Sequence, residues 1–577
     1  MGAGCPLLLD FTRTNYDGMF LRRTMKEVER LFKVRQLRMS LNIWAVLSIV
    51  FALLILLPNV NILVNVFNEA NENWNHIKEF LLKEYIVNTM IIVLFTGLFS
   101  IIIGTSLAWI ISVFEFPFSS FFRWGLILPL AIPPYIAAYT YTGLLNYTGV
   151  VQRFLRNSLN VHVNQKHLDL MSMEGAIFIF TMFLFPYVYT ITKAFLERQS
   201  ASLIENARVL GRTPFEIFLL VILPVSRPAI VGGVSLVILE VLNDYGVVKY
   251  FGITTFSTAI FRTWFAMGDL DSAIKLSAIL MLLVFGILTI ENFLRGRKKF
   301  SYTSTKNRPI AKINLKGIKA VIAFGYTMVV FSIGFLIPTL QLIHWALLTY
   351  KKILNIKFLE LMFNSLLIAL ISSGLLIVIA LIIANYKRIS DSLVARISSK
   401  ITIIGYSIPG AVIAIGVIIF FISLDRKLYW FYKAINPDSG KLVLSTSIVM
   451  LIFAYIIRFL AIGYNSIESG YEKIGKKFFE ASRTLGMNIT KTFFKVDVKM
   501  IKTAILSGYI LVFVDILKEL PLTLILRPFN FNTLATKAFE YANDEMIHEA
   551  AISSLIIILI SFTSIYFFHK IAEMEEK

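Results

Sequence analysis

The chain has 577 residues, 57% of them hydrophobic and 14% aromatic, with a mean hydropathy of +0.73. A soluble domain is about half apolar even when glycine is counted, so this composition excludes a soluble globular protein and implies an integral membrane one. The net charge of +20 would suit nucleic acid, but the cations gather in a few segments between apolar runs, and no nucleic-acid partner is expected.

Inside a bilayer only a helix or a closed barrel satisfies every backbone polar group, and about 20 apolar residues span it as a helix. Twelve such runs are predicted, near residues 41–63, 86–112, 122–146, 174–196, 229–250, 273–294, 318–345, 362–385, 400–424, 442–463, 502–526 and 549–569. The fold class is therefore all-α, embedded in membrane lipid. Residues 1–40 form a basic N-terminal segment that includes Arg22, Arg23, Lys26, Arg30, Lys33 and Arg35. It lacks a short apolar core followed by a small-residue cleavage site, so no removable signal is expected. The single cysteine, Cys5, allows no internal disulfide and no cysteine-based metal site.

Lys and Arg concentrate on one side of these runs: in the N-terminal segment, at Arg123, around residues 197–228 and 464–501, and in 295–319 and 387–400. Since such residues favour the cytoplasmic side, both termini are expected in the cytoplasm of a bacterial inner or cytoplasmic membrane. The loops 65–84, 147–173, 251–272, 346–361, 425–441 and 527–548 then face outward.

The sequence repeats. Pro134 and Pro409, Gly211 and Gly486, and Phe256 and Phe531 are each 275 residues apart, while Asn88 and Asn364 are 276 apart. A nearly constant offset marks a tandem duplication: a first transmembrane domain over 41–295 (core about 84–294), a basic cytoplasmic linker over 296–317, and a second domain over 318–577 (core about 360–570). Six spans separate equivalent points, so the halves run parallel and can pair about an axis normal to the membrane. The first span has its counterpart in the seventh and is expected to wrap the outside of a half.

Spans two and eight begin at Asn88-Thr89 and Asn364-Ser365, which read as N-terminal caps or interfacial polar contacts. Spans three and nine carry Pro133-Pro134 and Pro409-Gly410. Proline frees carbonyls that protein or water must satisfy, so either a broken helix beside a pathway or a simple kink is expected there.

Between spans four and five lies ENARVLGRTPFEIFLLVILP (205–224), and EASRTLG begins at Glu480. Leu203, Ala207 and Leu210 recur at helical spacing as one apolar stripe, and Gly211 ends the helix. The second copy has Val496-Asp497-Val498-Lys499 where the first has Val221-Ile222-Leu223-Pro224, which leaves its re-entry into the membrane open. The stretch GYEKIGKK (470–477) matches a phosphate-binding loop until its last position, where Lys477 replaces the Ser or Thr that would hold magnesium. It is not expected to bind nucleotide.

The spacing of Glu205, Ala207, Gly211, Val221, Leu223 and Pro224 resembles the EAA coupling loop of binding-protein-dependent ABC importer permeases. That resemblance implies two type-I permease domains and two separate ATPase subunits carrying ATP and magnesium. Docking would use Glu205, Ala207, Arg208 and Gly211 in one loop and Glu480, Ala481, Arg483 and Gly486 in the other. The chain itself would then bind no cofactor and catalyse no reaction.

Spans five and eleven carry acids. At the 275 offset Glu240 aligns with Asp515 and Asp244 with Glu519, so each half should set two carboxylates four residues apart on one helical face. A charge at the bilayer centre costs at least about 2.5 kcal/mol, and such residues usually face an aqueous pathway. Either they form a hydrated constriction for a cation, or they pair with Lys249, Lys518 or Arg527 to hold the fold together. Arg458 and Glu291 read as snorkelling residues near cytoplasmic helix ends.

The run KELPLTLILRPFNFNTLATKAFEYANDE (518–545) resembles a signature of fused ferric-iron importer permeases, and residues 84–568 follow that family's layout. The resemblance implies ferric iron delivered by an extracytoplasmic binding protein and held in transit by Glu240, Asp244, Asp515 and Glu519. Hard cations prefer oxygen ligands, yet thiamine or a polyamine would suit the same carboxylates. An ATP-independent secondary carrier is the remaining reading. His162, His167 and Asp169 share an outer loop and read as solvated residues.

Overall fold

The computed structural model describes residues 42–69, 71–197, 201–295, 312–390 and 392–576. The basic segment 1–40, Cys5 and most of the linker lie outside them. Apart from one two-residue parallel strand pair, Phe114–Glu115 (β1) with Ile313–Asn314 (β2), the described regular structure is helical.

The first half runs α1 (Ile43–Asn65), α2 (Glu72–Val113), α3 (Ser119–Ala131), α4 (Pro134–Ser158), α5 (Met173–Glu197), α6 (Ala201–Val209), α7 (Pro214–Asn243), α8 (Gly246–Tyr250), α9 (Phe256–Phe261) and α10 (Leu270–Arg295). The second runs α11 (Ile318–Ile353), α12 (Ile356–Ile389), α13 (Leu393–Ser407), α14 (Gly410–Ile435), α15 (Ile448–Ile474), α16 (Lys477–Thr484), α17 (Ile489–Met500), α18 (Lys502–Leu517), α19 (Pro521–Leu526), α20 (Leu534–Asn543) and α21 (Ile547–Glu576).

All twelve predicted spans are occupied, but three of them are bent pairs: α3 with α4 at 91°, α13 with α14 at 117°, and α17 with α18 at 74°. The first two breaks fall where the sequence offered a break or a kink. Ile132 and Ile408 each precede a proline, which excludes the helical region for them, and both take extended ψ values, 108° and 127°. Spans five and eleven also end early, at Asn243 and Leu517, each followed by a short helix rather than a continuous one.

The polar pairs of spans two and eight do not cap helices, because α2 and α12 begin several residues earlier. They make contacts between helices. The Thr89 hydroxyl accepts from the Phe256 amide at 3.4 Å and that of Ser365 from the Leu534 amide at 2.8 Å. These bonds correct the repeat register, since Leu534, not Phe531, occupies the place of Phe256. The capping threonines Thr255 and Thr533 are likewise 278 apart, so the second half carries three extra residues in the turn after α19, where Asn530 adopts positive φ.

The first and seventh spans each reach across to the other half. α1 packs on α12, α13 and α14, with the Trp44 ring 4.6 Å from that of Phe493 and the Pro58 carbonyl against Gly416. The first part of α11 lies against the first half, where Phe331 meets Phe121 and Phe122, and Tyr326 bonds Ser106 at 2.8 Å, while its second part packs on α21 of its own half, with Lys352 paired to Glu549 at 2.9 Å. Each half thus sets its first helix partly against the other, while α1 keeps a contact with α10.

Within the first half α5 is clasped between α2 and α7. A methyl group on Gly104 would stand 2.7 Å from Cβ of Val188, and one on Gly233 would stand 2.7 Å from its Cα. Glycine at both contacts lets three backbones approach, as small residues do between helices in lipid.

Candidate functional site

The two loop helices, α6 and α16, end alike. Gly211 has φ +77° and Gly486 φ +81°, and around each a side chain would meet open space. Glycine is therefore needed here for left-handed backbone rather than for close approach within the chain. The Gly211 amide donates to the Arg208 carbonyl and the Gly486 amide to that of Arg483, at 2.9 and 3.1 Å.

The expected stripe is only partly right. Ala207 and Ile204 are buried, but Val209 and Leu210 are 86% and 79% exposed, as is Leu485 at 78%. The buried place of Ala207 belongs in the second copy to Ser482, whose hydroxyl donates to Thr492 at 3.0 Å. Ala481 is exposed, as are Glu205, Arg208, Glu480 and Arg483. Each loop thus presents a leucine ringed by polar groups to whatever lies beyond the chain. The re-entry left open by the missing proline is resolved: a single π-turn occupies equivalent residues, Phe218–Ile222 and Phe493–Asp497. Only the second copy bends afterwards, at Ile501.

Deeper in the molecule, Glu240, Asp244, Asp515 and Glu519 all line one cavity of about 80 Å³ between the two broken spans. They reach it differently from the expectation. Glu240 and Asp515 lie on α7 and α18, but Asp244 and Glu519 stand beyond those helix ends, so neither pair shares a helical face. Asp244 accepts from the Val247 amide at 2.8 Å and Glu519 from the Leu522 amide at 3.2 Å, so each restarts the chain as α8 or α19.

The halves differ in what neutralises these acids. Lys518 pairs with Asp515 at 2.7 Å, and Arg458 with Glu519 at 3.4 Å. Among the described residues Glu240 accepts only from a neutral donor, the Tyr406 hydroxyl at 3.0 Å. Of the cations expected to pair with these acids, only Lys518 does so; Arg527 pairs with Glu540 at 2.8 Å, and Lys249 lines a separate cavity with Arg262. With all groups ionised, four carboxylates and two cations leave the cavity a net charge of −2. Among the described residues no three His, Cys, Asp or Glu side chains converge as a set of metal ligands, neither here nor at His162, His167 and Asp169.

Arg458 does not snorkel. α15 continues eleven residues past the predicted end, which sets Arg458 mid-helix and buried, donating also to the Ile408 carbonyl at 3.0 Å. That carbonyl is freed by the break before Pro409. The position 275 residues earlier is Phe183, so no repeat drew attention to it. Glu291 lies near the end of α10, ion-paired with Arg295.

A second cavity of about 600 Å³ lies between this one and the loop helices, lined by Asn465, Ser466, Ser469, Thr503 and Ser507. Leu236 and Leu511, a pair at the 275 offset, both face it, and one turn further along the same helices Glu240 and Asp515 face the small cavity. Equivalent residues of two halves meet only near the axis between them, so the two cavities follow that axis.

The profile of the binding-protein-dependent transport system inner membrane component matches twice, over residues 100–290 and 376–574. The chain belongs to that family. It is a multi-pass inner-membrane permease of two fused six-span domains, and membership implies an ATPase and a substrate-binding protein as its partners. A similar protein is the Fe(3+)-transport system permease protein FbpB 2 of Haemophilus influenzae, 25% identical over 85% of this chain and 90% of its own length. The ferric transport system permease protein FbpB of Actinobacillus pleuropneumoniae is 23% identical over 82% of this chain and 70% of its own. The sulfate transport system permease protein CysT of Escherichia coli matches one region, 27% identical over 35% of this permease and 72% of its own length.

Proposed function

We propose that this chain is the transmembrane pathway of a ferric-iron importer. The observation that carries the reading is the set of four carboxylates on one small axial cavity with a net negative charge. Its volume of about 80 Å³ suits an ion better than a solute of thiamine size, since sites for drug-sized molecules run to about 300–1,000 Å³. The relatives named for ferric transport supply the particular cation.

In this reading Glu240, Asp244, Asp515 and Glu519 attract and briefly hold the cation. A transit site must be one from which the ion can leave. The loops face the cytoplasm, with both termini on that side, in keeping with the bias of Lys and Arg. Two ATPase subunits, carrying ATP and magnesium, dock on Glu205, Ala207, Arg208 and Gly211 and on Glu480, Ala481, Arg483 and Gly486, with Leu210 and Leu485 entering their surfaces. Nucleotide-driven closure draws α6 and α16 together, opens the pathway to the binding protein, and hydrolysis returns it.

The test is uptake of radiolabelled ferric iron by cells carrying Glu240→Gln, Asp244→Asn, Asp515→Asn and Glu519→Gln together. Uptake should fall to background while the protein still reaches the membrane. Unchanged iron uptake with loss of thiamine or polyamine uptake would reassign the cargo. Docking has its own test. Replacing Gly211 and Gly486 by leucine forces a left-handed conformation that costs an L-residue about 1–2 kcal/mol, so the ATPase should no longer co-purify with a normally inserted chain. Retained co-purification would refute the coupling role.

A further inference from the structure

Tyr406 is the only described residue that lines both axial cavities, the acidic one and the larger one toward the loop helices. It belongs to the second half, on α13 two residues before the break at Ile408, and its hydroxyl reaches across to the Glu240 carboxylate of the first half. The backbone on either side is held. Gly405 lies directly against the Ile457 carbonyl, where any side chain would clash, and Arg458 fixes the Ile408 carbonyl. What remains movable is the half-buried phenol itself, and side-chain rotation is among the fastest motions a protein has.

Its acceptor is also distinctive. Asp515 and Glu519 are ion-paired, whereas the one hydrogen bond to Glu240 among the described residues is from this hydroxyl. The position 275 residues before Tyr406 is Ala131, so the first half offers no second phenol at the matching place.

We propose that Tyr406 is the inner latch of the pathway: bonded to Glu240 it separates the acidic cavity from the larger one, and a cation reaching Glu240 releases it. The cation neutralises the carboxylate that accepts the hydroxyl, the bond weakens, and the ring swings toward the larger cavity. Arrival of cargo thereby unlocks its own exit. This rests on the pathway reading above, but not on which cation travels.

The experiment is thiol labelling of the full chain in nucleotide-free, inside-out membrane vesicles, with Cys5 changed to serine and a small neutral methanethiosulfonate as the probe, so that the label does not itself act as the releasing cation. One reporter, Ser507→Cys, sits in the larger cavity, and the other, Leu130→Cys, in the acidic one. With Tyr406 intact, Leu130→Cys should react at least tenfold more slowly than Ser507→Cys. Tyr406→Phe should bring the two rates within about threefold, and Glu240→Gln, which keeps the ring and removes the charge, should do the same. An unchanged Ser507→Cys rate shows that each variant is folded. If Leu130→Cys stays slow in both variants, or opens only with Tyr406→Ala, the hydroxyl is no latch and the proposal fails. No cargo is added, so that failure leaves the assignment of ferric iron untouched, and loss of the iron assignment leaves the latch standing.

Discussion

Arg458→Ala should unfold the second half or come close to it. The guanidinium is buried, pairs with Glu519 and occupies the carbonyl freed at Ile408. Removing one partner of a buried ion pair costs about 3–5 kcal/mol, because the other charge is left unpaired. The carbonyl of Ile408 is orphaned as well, at about 1–3 kcal/mol for an unmet buried polar group. Together these approach the whole stability of an ordinary domain. We expect Arg458→Ala to give little monodisperse protein in detergent, with adding Glu519→Gln restoring part of it by removing the stranded charge. A melting temperature equal to that of the unmodified chain would show that water reaches this pair and that it contributes nothing to the fold.

The second large effect belongs to the clasp around α5. Gly233→Leu would drive a side chain into the backbone of Val188, and Gly104→Leu would drive one into its Cβ and the Tyr189 amide, 3.0 Å away. Overpacking a core costs about 1–3 kcal/mol when side chains can yield. Here one neighbour is backbone, so the helices must separate, and loss of the folded chain is expected by fluorescence-detected size exclusion. Gly374→Leu is the control, since nothing lies within 4 Å of that position, and it should behave like the unmodified protein. Equal behaviour of all three would remove close packing as the reason for glycine at 104 and 233.

The number of spans, the duplication and both loop helices were legible in the sequence because each is a local pattern: apolar length, a constant offset, a helix stopped by glycine. The four acids were legible for the same reason. Their geometry was not, since the early helix end at Asn243 goes with Asp244 accepting from the Val247 amide, and hydropathy does not register such a cap. Arg458 was misread because the apolar run ends before its helix does: the last turns of α15, through Lys473, are polar yet still helical. Tyr406 gave no repeat and no charge. Only its place three residues before Pro409 could have hinted that it sits at a broken span.

The packing of α1 on the second half has a consequence for biogenesis. Trp44 is made 449 residues before its ring partner Phe493, which at roughly 5–20 residues per second is an interval of about 20–90 s. Until α12 follows, α1 can pack only on α10 of its own half, and Ser48, whose hydroxyl reaches the Ile382 carbonyl in the finished protein, must wait against acyl chains. Its 23 residues contain no charge, which lets it remain inserted through such a delay. A nascent chain halted after α10 should therefore expose this helix to lipid crosslinkers, and the shielding should arrive only once the second domain has left the ribosome.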